Sequence, residues 1–174
     1  MEENDIIVPT NIAYSSCLLR NNIEQLKKRY NFLITGNIGY SVLGKPISYI
    51  RLGAGQKEVM YSSSIHANEW ITSVILMKFV EDYARAYKNN DFIYGYSVKE
   101  LFNNVSIYIV PMVNPDGVDL VTGVIPENTG VYNNFRDISL KFPNIPFPSG
   151  WKANFNGVDL NLQFPAGWLN AREI

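Results

Sequence analysis

Cysteine is nearly absent. The 174-residue chain carries only Cys17, so no internal disulfide can form, and a cysteine-rich zinc module is excluded. With no histidine near it in sequence, Cys17 reads as a small buried apolar residue and not as a thiol nucleophile. Histidine is equally scarce, with His66 the single one. An excess of one charge sign is missing too. Fifteen Lys and Arg stand against sixteen Asp and Glu, and the pI is near 5.8. No basic block of the kind that neutralises phosphates occurs, so nucleic acid is not an expected partner. The short basic run Lys27-Lys28-Arg29 follows Glu24 on an expected helix and reads as a solvated face. The acidic start, Met1-Glu2-Glu3-Asn4-Asp5, is followed by no apolar stretch long enough for a signal core or a membrane span. The expectation is a cytoplasmic chain without a membrane partner.

What is present suits a packed core, since 47% of residues are hydrophobic and 18% charged. Leu18, Leu19, Ile23 and Leu26 fall near the helical period, predicting an amphipathic helix from about Ser15 to Tyr30, ended by Asn31 to Gly36. Two extended runs, Ile47 to Leu52 and Val59 to Ile65, flank the turn signal Gly53-Ala54-Gly55 and read as neighbouring strands. From Asn68, a plausible N-cap, Trp70, Ile71, Val74, Ile75, Met77, Phe79, Val80 and Tyr83 lay a broad apolar stripe along a helix of about five turns. A short helical piece around Val98 to Phe102 follows. Val105 to Val113 is then so uniformly apolar that it reads as a strand buried on both faces. Strand, long helix and buried strand in this order predict an α/β domain with a mixed or parallel sheet. From Asn114 to about Phe155, Pro, Gly and Asn dominate with little periodicity, which reads as an unusually long loop region.

His66 stands after an expected strand and before an expected helix, where open α/β sheets gather ligand sites. Glu69 follows within one tight turn, so an imidazole and a carboxylate could face one cation. Taken alone, His-x-x-Glu is a common tetrapeptide. A lone histidine is more often structural, and a carboxylate near a helix N-terminus is favoured by the helix dipole without any metal.

Context narrows the reading. The segments Ile38 to Ile47, Ile65-His66-Ala67-Asn68-Glu69-Trp70, Val113-Asn114-Pro115-Asp116-Gly117 and Gly157-Val158-Asp159-Leu160-Asn161 occur in an order that resembles the zinc carboxypeptidase family typified by carboxypeptidase A. The stretch Asn161 to Trp168 is similar to the bacterial branch of γ-D-glutamyl-L-diamino acid endopeptidases. The resemblance implies the N-terminal part of a zinc carboxypeptidase-like fold, an α/β domain whose mixed, mostly parallel sheet is flanked by helices. It implies His66 and Glu69 as zinc ligands, Asn161 and Leu162 in the substrate site, and Lys152 as an oxyanion stabiliser where the family often has arginine. Leu162 stands where the family pattern has an arginine that clamps a terminal carboxylate, so C-terminal trimming is disfavoured. The implied substrate is a peptidoglycan-derived peptide cut at its γ-D-glutamyl to diaminopimelate bond. Asn114-Pro115-Asp116-Gly117 reads as a sharp turn with Gly at positive φ, and Asp159 as support for the Asn161 loop.

The same resemblance calls for a second histidine and a glutamate base downstream of Asn161. Residues 1–174 therefore read as a single truncated domain that binds zinc weakly or not at all and is inactive alone. An uncovered sheet edge predicts self-association. A non-catalytic muropeptide-binding module, a general zinc carboxypeptidase and an interaction protein of shared ancestry are the competing readings.

Overall fold

The computed structural model describes residues 6–165. Helix α1 (Ser16–Arg29) opens on Ser15, whose hydroxyl accepts from Leu18 N at 3.3 Å, and its last turn carries Lys27, Lys28 and Arg29, which suit the negative end of the helix dipole. The strands β1 (Ile34–Tyr40), β2 (Pro46–Leu52) and β3 (Lys57–Ser62) come next. Helix α2 (Ile71–Asn89) is followed by a small hairpin of β4 (Phe92–Ile93) and β5 (Tyr96–Ser97). Helix α3 (Val98–Asn104) leads into β6 (Val105–Val110), and α4 (Pro115–Val121) and α5 (Gly130–Ser139) complete the regular elements. Single 3-10 turns occupy Ala67–Glu69 and Leu160–Leu162. Among the described residues no helix is long and apolar enough to cross a membrane.

The main sheet has the order β1-β2-β6-β3. β1 with β2 and β2 with β6 are antiparallel, and β3 with β6 is parallel. The sheet is thus mixed as expected, but parallel pairing is the minority among the described residues. A second correction concerns β2 and β3: they are not neighbours, because β6 lies between them. The cause is the Gly53-Ala54-Gly55 segment, which reverses the chain while carrying it past the start of β6, so that β3 pairs on the far side of that strand. A Cβ on Gly53, whose φ is +93°, would lie 2.0 Å from Val105 O, and one on Gly55 would lie 1.8 Å from the Asn104 carbonyl carbon. Only glycine lets the backbones approach so closely. β3, α2, α3 and β6 then form the crossover that parallel neighbours require.

Ile50 and Ile109 are register partners, and with Leu52 they face a core built by Leu19, Ile23 and Leu26 of α1 and Val74, Met77, Val80 and Tyr83 of α2. Arg51 and Tyr108 point from the opposite face, where Arg51 lies 5.6 Å from the Tyr108 ring centroid. β3 is exposed along its whole length. Cys17 is exposed, not buried, because it sits on the outer side of α1 while Leu19 and Ile23 take the inner one.

The segment expected to be a long loop holds α4 and α5. Both are short; α4 buries six of its seven residues and so shows no polar face, while α5 packs Val131, Tyr132, Phe135 and Ile138 inward over only ten residues. Asn114-Pro115-Asp116-Gly117 is accordingly a helix start and not a turn. The Asn114 side chain accepts from Gly117 N at 3.1 Å with Pro115 in the first turn. Gly117 is needed for contact rather than for a positive φ, since a Cβ there would lie 2.6 Å from Ala67 Cβ. Asp116, bonded to Ser41 Oγ at 2.9 Å and Leu43 N at 3.0 Å, ties α4 to the β1–β2 connection instead of closing its own turn.

Candidate metal half-site and adjoining cleft

The chain leaves β3 through Ser63 and Ser64, both buried. Ser64 holds φ at +47°, an uncommon conformation for a non-glycine residue. It is compensated locally: Ser64 N donates to Thr72 Oγ1 at 3.0 Å and its hydroxyl lies 2.6 Å from Ser73 Oγ. This kink delivers His66, and Ala67 to Glu69 make one 3-10 turn before α2. Asn68 is therefore not the N-cap. Trp70 takes that position without a side-chain bond, while Thr72 Oγ1 donates to Glu69 O at 2.7 Å.

Asn114 fastens this turn to the distant segment 151–153. Its Nδ2 donates to Ile65 O at 3.3 Å, Lys152 O at 3.2 Å and Ala153 O at 2.9 Å. Ala67 N donates to Lys152 O and Asn68 N to Trp151 O, each at 3.1 Å. Beneath the turn, Ala67, Leu120, Ile125, Phe135 and Trp151 form a second buried cluster. Phe135 meets Trp151 edge-on at 5.2 Å and Phe155 at 5.1 Å between centroids.

At the surface of this platform the His66 ring lies between two carboxylates. Nδ1 is 3.1 Å from Glu69 Oε1, and Nε2 is 3.2 Å from Asp159 Oδ1. The His66 side chain is 16% exposed, Glu69 50% and Asp159 35%. A neutral imidazole has one N–H and can satisfy one carboxylate only. If Nε2–H goes to Asp159, Nδ1 and Glu69 face each other as two acceptors, an arrangement that calls for a cation, either a second proton or a metal. Nitrogen and carboxylate oxygen are both ordinary zinc donors, and a carboxylate on the far ring nitrogen is the usual support of a ligating histidine. The donor set fits half of a zinc site. Among the described residues no group of three or more His, Cys, Asp and Glu side chains converges to hold a metal.

Asp159 does more than support its loop. Its Oδ1 accepts from Asn161 N at 3.0 Å and also faces His66. The sequence placed it in the Gly157 to Asn161 motif but gave no sign of this contact, which spans 93 positions. Asn161 and Leu162 lie exposed in the Leu160–Leu162 turn. Lys152 is exposed on a cavity lining that it shares with Asn68 and Asp159. Ala166, Gly167 and Trp168 of the branch-like stretch lie outside the described residues.

A family profile described as zinc carboxypeptidase matches residues 19–173. Gamma-D-glutamyl-L-diamino acid endopeptidase 1 of Lysinibacillus sphaericus is 46% identical over 155 residues, which are 89% of this chain and 38% of that protein. An uncharacterised protein of Bacillus subtilis is 38% identical over 157 residues, 89% of this chain and 41% of its own length. The chain thus spans about two fifths of the relatives it matches. Bovine thrombin-activatable fibrinolysis inhibitor, solved with tick carboxypeptidase inhibitor, superposes with a TM-score of 0.56 at 21% identity, covering 83% of this chain and 38% of that one. A second structure of thrombin-activatable fibrinolysis inhibitor gives 0.59 at 20% identity, covering 87% and 34%. These two establish the fold.

Proposed function

The chain belongs to the zinc carboxypeptidase family, and we propose that it provides half of the zinc site and part of the cleft of a peptidase cutting the γ-D-glutamyl to diamino acid bond of peptidoglycan stem peptides. The observation that carries the metal reading is the His66 imidazole held between Glu69 and Asp159. The relative at 46% identity supports the substrate class.

In this reading Asp159 accepts the hydrogen bond from Nε2–H and fixes the tautomer, which leaves the Nδ1 lone pair and Glu69 to hold the ion. Bound zinc supplies polarisation of a scissile carbonyl and a water of lowered pKa. Lys152 brings positive charge to the side of the cleft where the carbonyl oxygen gains charge, as a point charge without the planar fork of arginine. Asn161 contacts substrate from the exposed turn, and Leu162 offers no bidentate clamp for a terminal carboxylate. That absence favours an internal γ-linked amide over C-terminal trimming.

The family's two-histidine, one-glutamate set needs a second histidine, and the sequence has only His66. This chain therefore holds zinc weakly and is inactive by itself. Zinc titration against a chromophoric chelator should show weak uptake that His66→Ala abolishes. Tight stoichiometric zinc, or uptake unchanged by His66→Ala, would sink the half-site. For the activity, a version extended to the relatives' length should cleave a γ-D-glutamyl-diaminopimelate peptide in preference to a standard C-terminal substrate. The exposed β3 edge, unpaired among the described residues, is further proposed to pair with a second copy of the chain, and a concentration-independent monomer mass in light scattering would count against that.

A further inference from the structure

A cavity of about 510 Å³ opens beside the half-site, within the size range of sites that hold small ligands. Its lining combines a polar end, Asn68, Lys152 and Asp159, with an apolar wall, Phe142, Ile145 and Phe147. We propose that this cavity is the acyl-side specificity pocket. It takes an anionic N-acyl amino acid residue, with the free carboxylate against the Asn68 carboxamide in the field of Lys152 and the apolar acyl substituent against Phe142, Ile145 and Phe147. The proposal rests on the peptidase reading above and specifies which half of the substrate lies on this side.

Continuity with the half-site is built into the backbone. Asp159 lines the cavity and holds His66, and the bonds from Ala67 N and Asn68 N to the carbonyls of Lys152 and Trp151 make the polar end and the metal donors one body. A residue seated here is therefore next to the bond that the metal side would act on.

Asn68 is the second observation. Among the described residues its enclosed Oδ1 has no hydrogen-bond partner, and none takes its amide N–H either. The amide N–H group is thus free among the described residues to donate to an incoming carboxylate, while the enclosed Oδ1 is left for a donor on the same ligand. Charge points the same way. Lys152 is the one cationic side chain on the lining and makes no ion pair with the described residues, while the Asp159 carboxylate is already engaged by His66 and Asn161 N. The unpaired Lys152 ammonium therefore gives the lining a charge that an anionic group can pair with. Phe142 and Ile145 are 53% and 50% exposed, apolar surface on a concave wall that a short aliphatic substituent would cover. A γ-linked glutamyl residue meets all of these demands, because linkage through the side chain leaves its α-carboxylate free on the acyl side.

The test is a 1H–15N NMR titration of this chain with alanyl-γ-D-glutamyl-diaminopimelate and with the same peptide carrying an α-carboxamide. The reporters are the Asn68 side-chain amide and the Trp151 indole N–H, which donates to Ala153 O at 2.6 Å. The carboxylate peptide should shift Asn68 and bind about tenfold more tightly than the carboxamide, the usual scale for a charge-assisted hydrogen bond. Lys152→Gln should bring that ratio near one. Phe142→Ser should weaken both peptides alike, and its exposed position leaves the fold in place. An unmoved Asn68 amide at millimolar peptide overturns the pocket, as do equal binding of the two peptides and a preference that survives Lys152→Gln. The two readings fail separately. Zinc uptake lost in His66→Ala beside a silent Asn68 removes the pocket alone. A Lys152-dependent carboxylate preference in a chain that takes no zinc removes the half-site alone.

Discussion

The two buried clusters differ in what assembles them. The first joins α1, α2 and the inner face of the sheet through Leu26, Ile50, Leu52, Met77, Val80 and Ile109. Each is placed by the regular period of its own helix or strand. The second, under the half-site, joins Ala67, Leu120, Ile125, Phe135 and Trp151. It depends on edge-on aromatic contacts and on the Asn114 clasp, which link segments dozens of residues apart. The first cluster holds the fold and the second positions chemistry. Damage to them should therefore read out differently.

The largest expected effect separates them directly. Phe135→Ala removes a fully buried ring from the centre of the second cluster, a change that costs about 3–5 kcal/mol. Met77→Ala in the first costs a comparable 2–5 kcal/mol on the order-of-magnitude scale for large-to-small substitutions. Denaturant unfolding should show a loss in both. Only Phe135→Ala should also abolish the weak zinc uptake and move the Trp151 indole signal under native conditions. Equal loss of zinc uptake in folded Met77→Ala would show that the two clusters act as one.

The same contrast explains what the sequence could and could not reveal. Helices α1 and α2 were legible because burial forces a repeat on them, and strand β6 because its run is β-rich and nearly all apolar. Strand β1 was not: it contains Gly36 and Gly39, its register shifts between Asn37 and Gly39, and it alternates poorly between exposed and half-buried positions. Helix α4 escaped because it is buried nearly all round. The Gly53-Ala54-Gly55 crossover carries the composition of a hairpin turn, and only the close approach of Val105 and Asn104 shows why glycine is there. At the site, His66 and Glu69 were legible because they lie one turn apart. Asp159 and the free carboxamide of Asn68 were not, since a contact across 93 positions leaves no local pattern. Family resemblance supplied the motif order that periodicity could not.

A smaller effect tests the role of Asp159 in the second region. Asp159→Asn keeps the shape and the hydrogen bond to Asn161 N but takes away the charge that faces His66 Nε2. Removal of such a carboxylate typically costs about 10–100-fold in metal affinity. Zinc uptake should fall by that factor with the unfolding midpoint nearly unchanged. A large drop in stability would instead make Asp159 a structural strut.

The smallest effect probes the first cluster alone, through pH. Among the described residues the buried Tyr83 hydroxyl has no hydrogen-bond partner, and burial, helped by neighbouring Tyr87, pushes its pKa up to about 12, above the ordinary tyrosine range. The neutral ring is what the folded state holds. An unfolded chain gives up this proton above about pH 10, before the folded one does, so stability is intact below that pH and falls as pH rises towards the folded value. By pH 11 the loss from this group is about 1 kcal/mol. Tyr83→Phe should remove that part of the alkaline loss without a cost at neutral pH, because the hydroxyl has no partner to forfeit. Urea midpoints of the two proteins should then diverge only above about pH 10, with the variant the more stable. Parallel curves would mean that the hydroxyl reaches solvent in the folded protein and that the first cluster is looser around Tyr83 than its packing indicates.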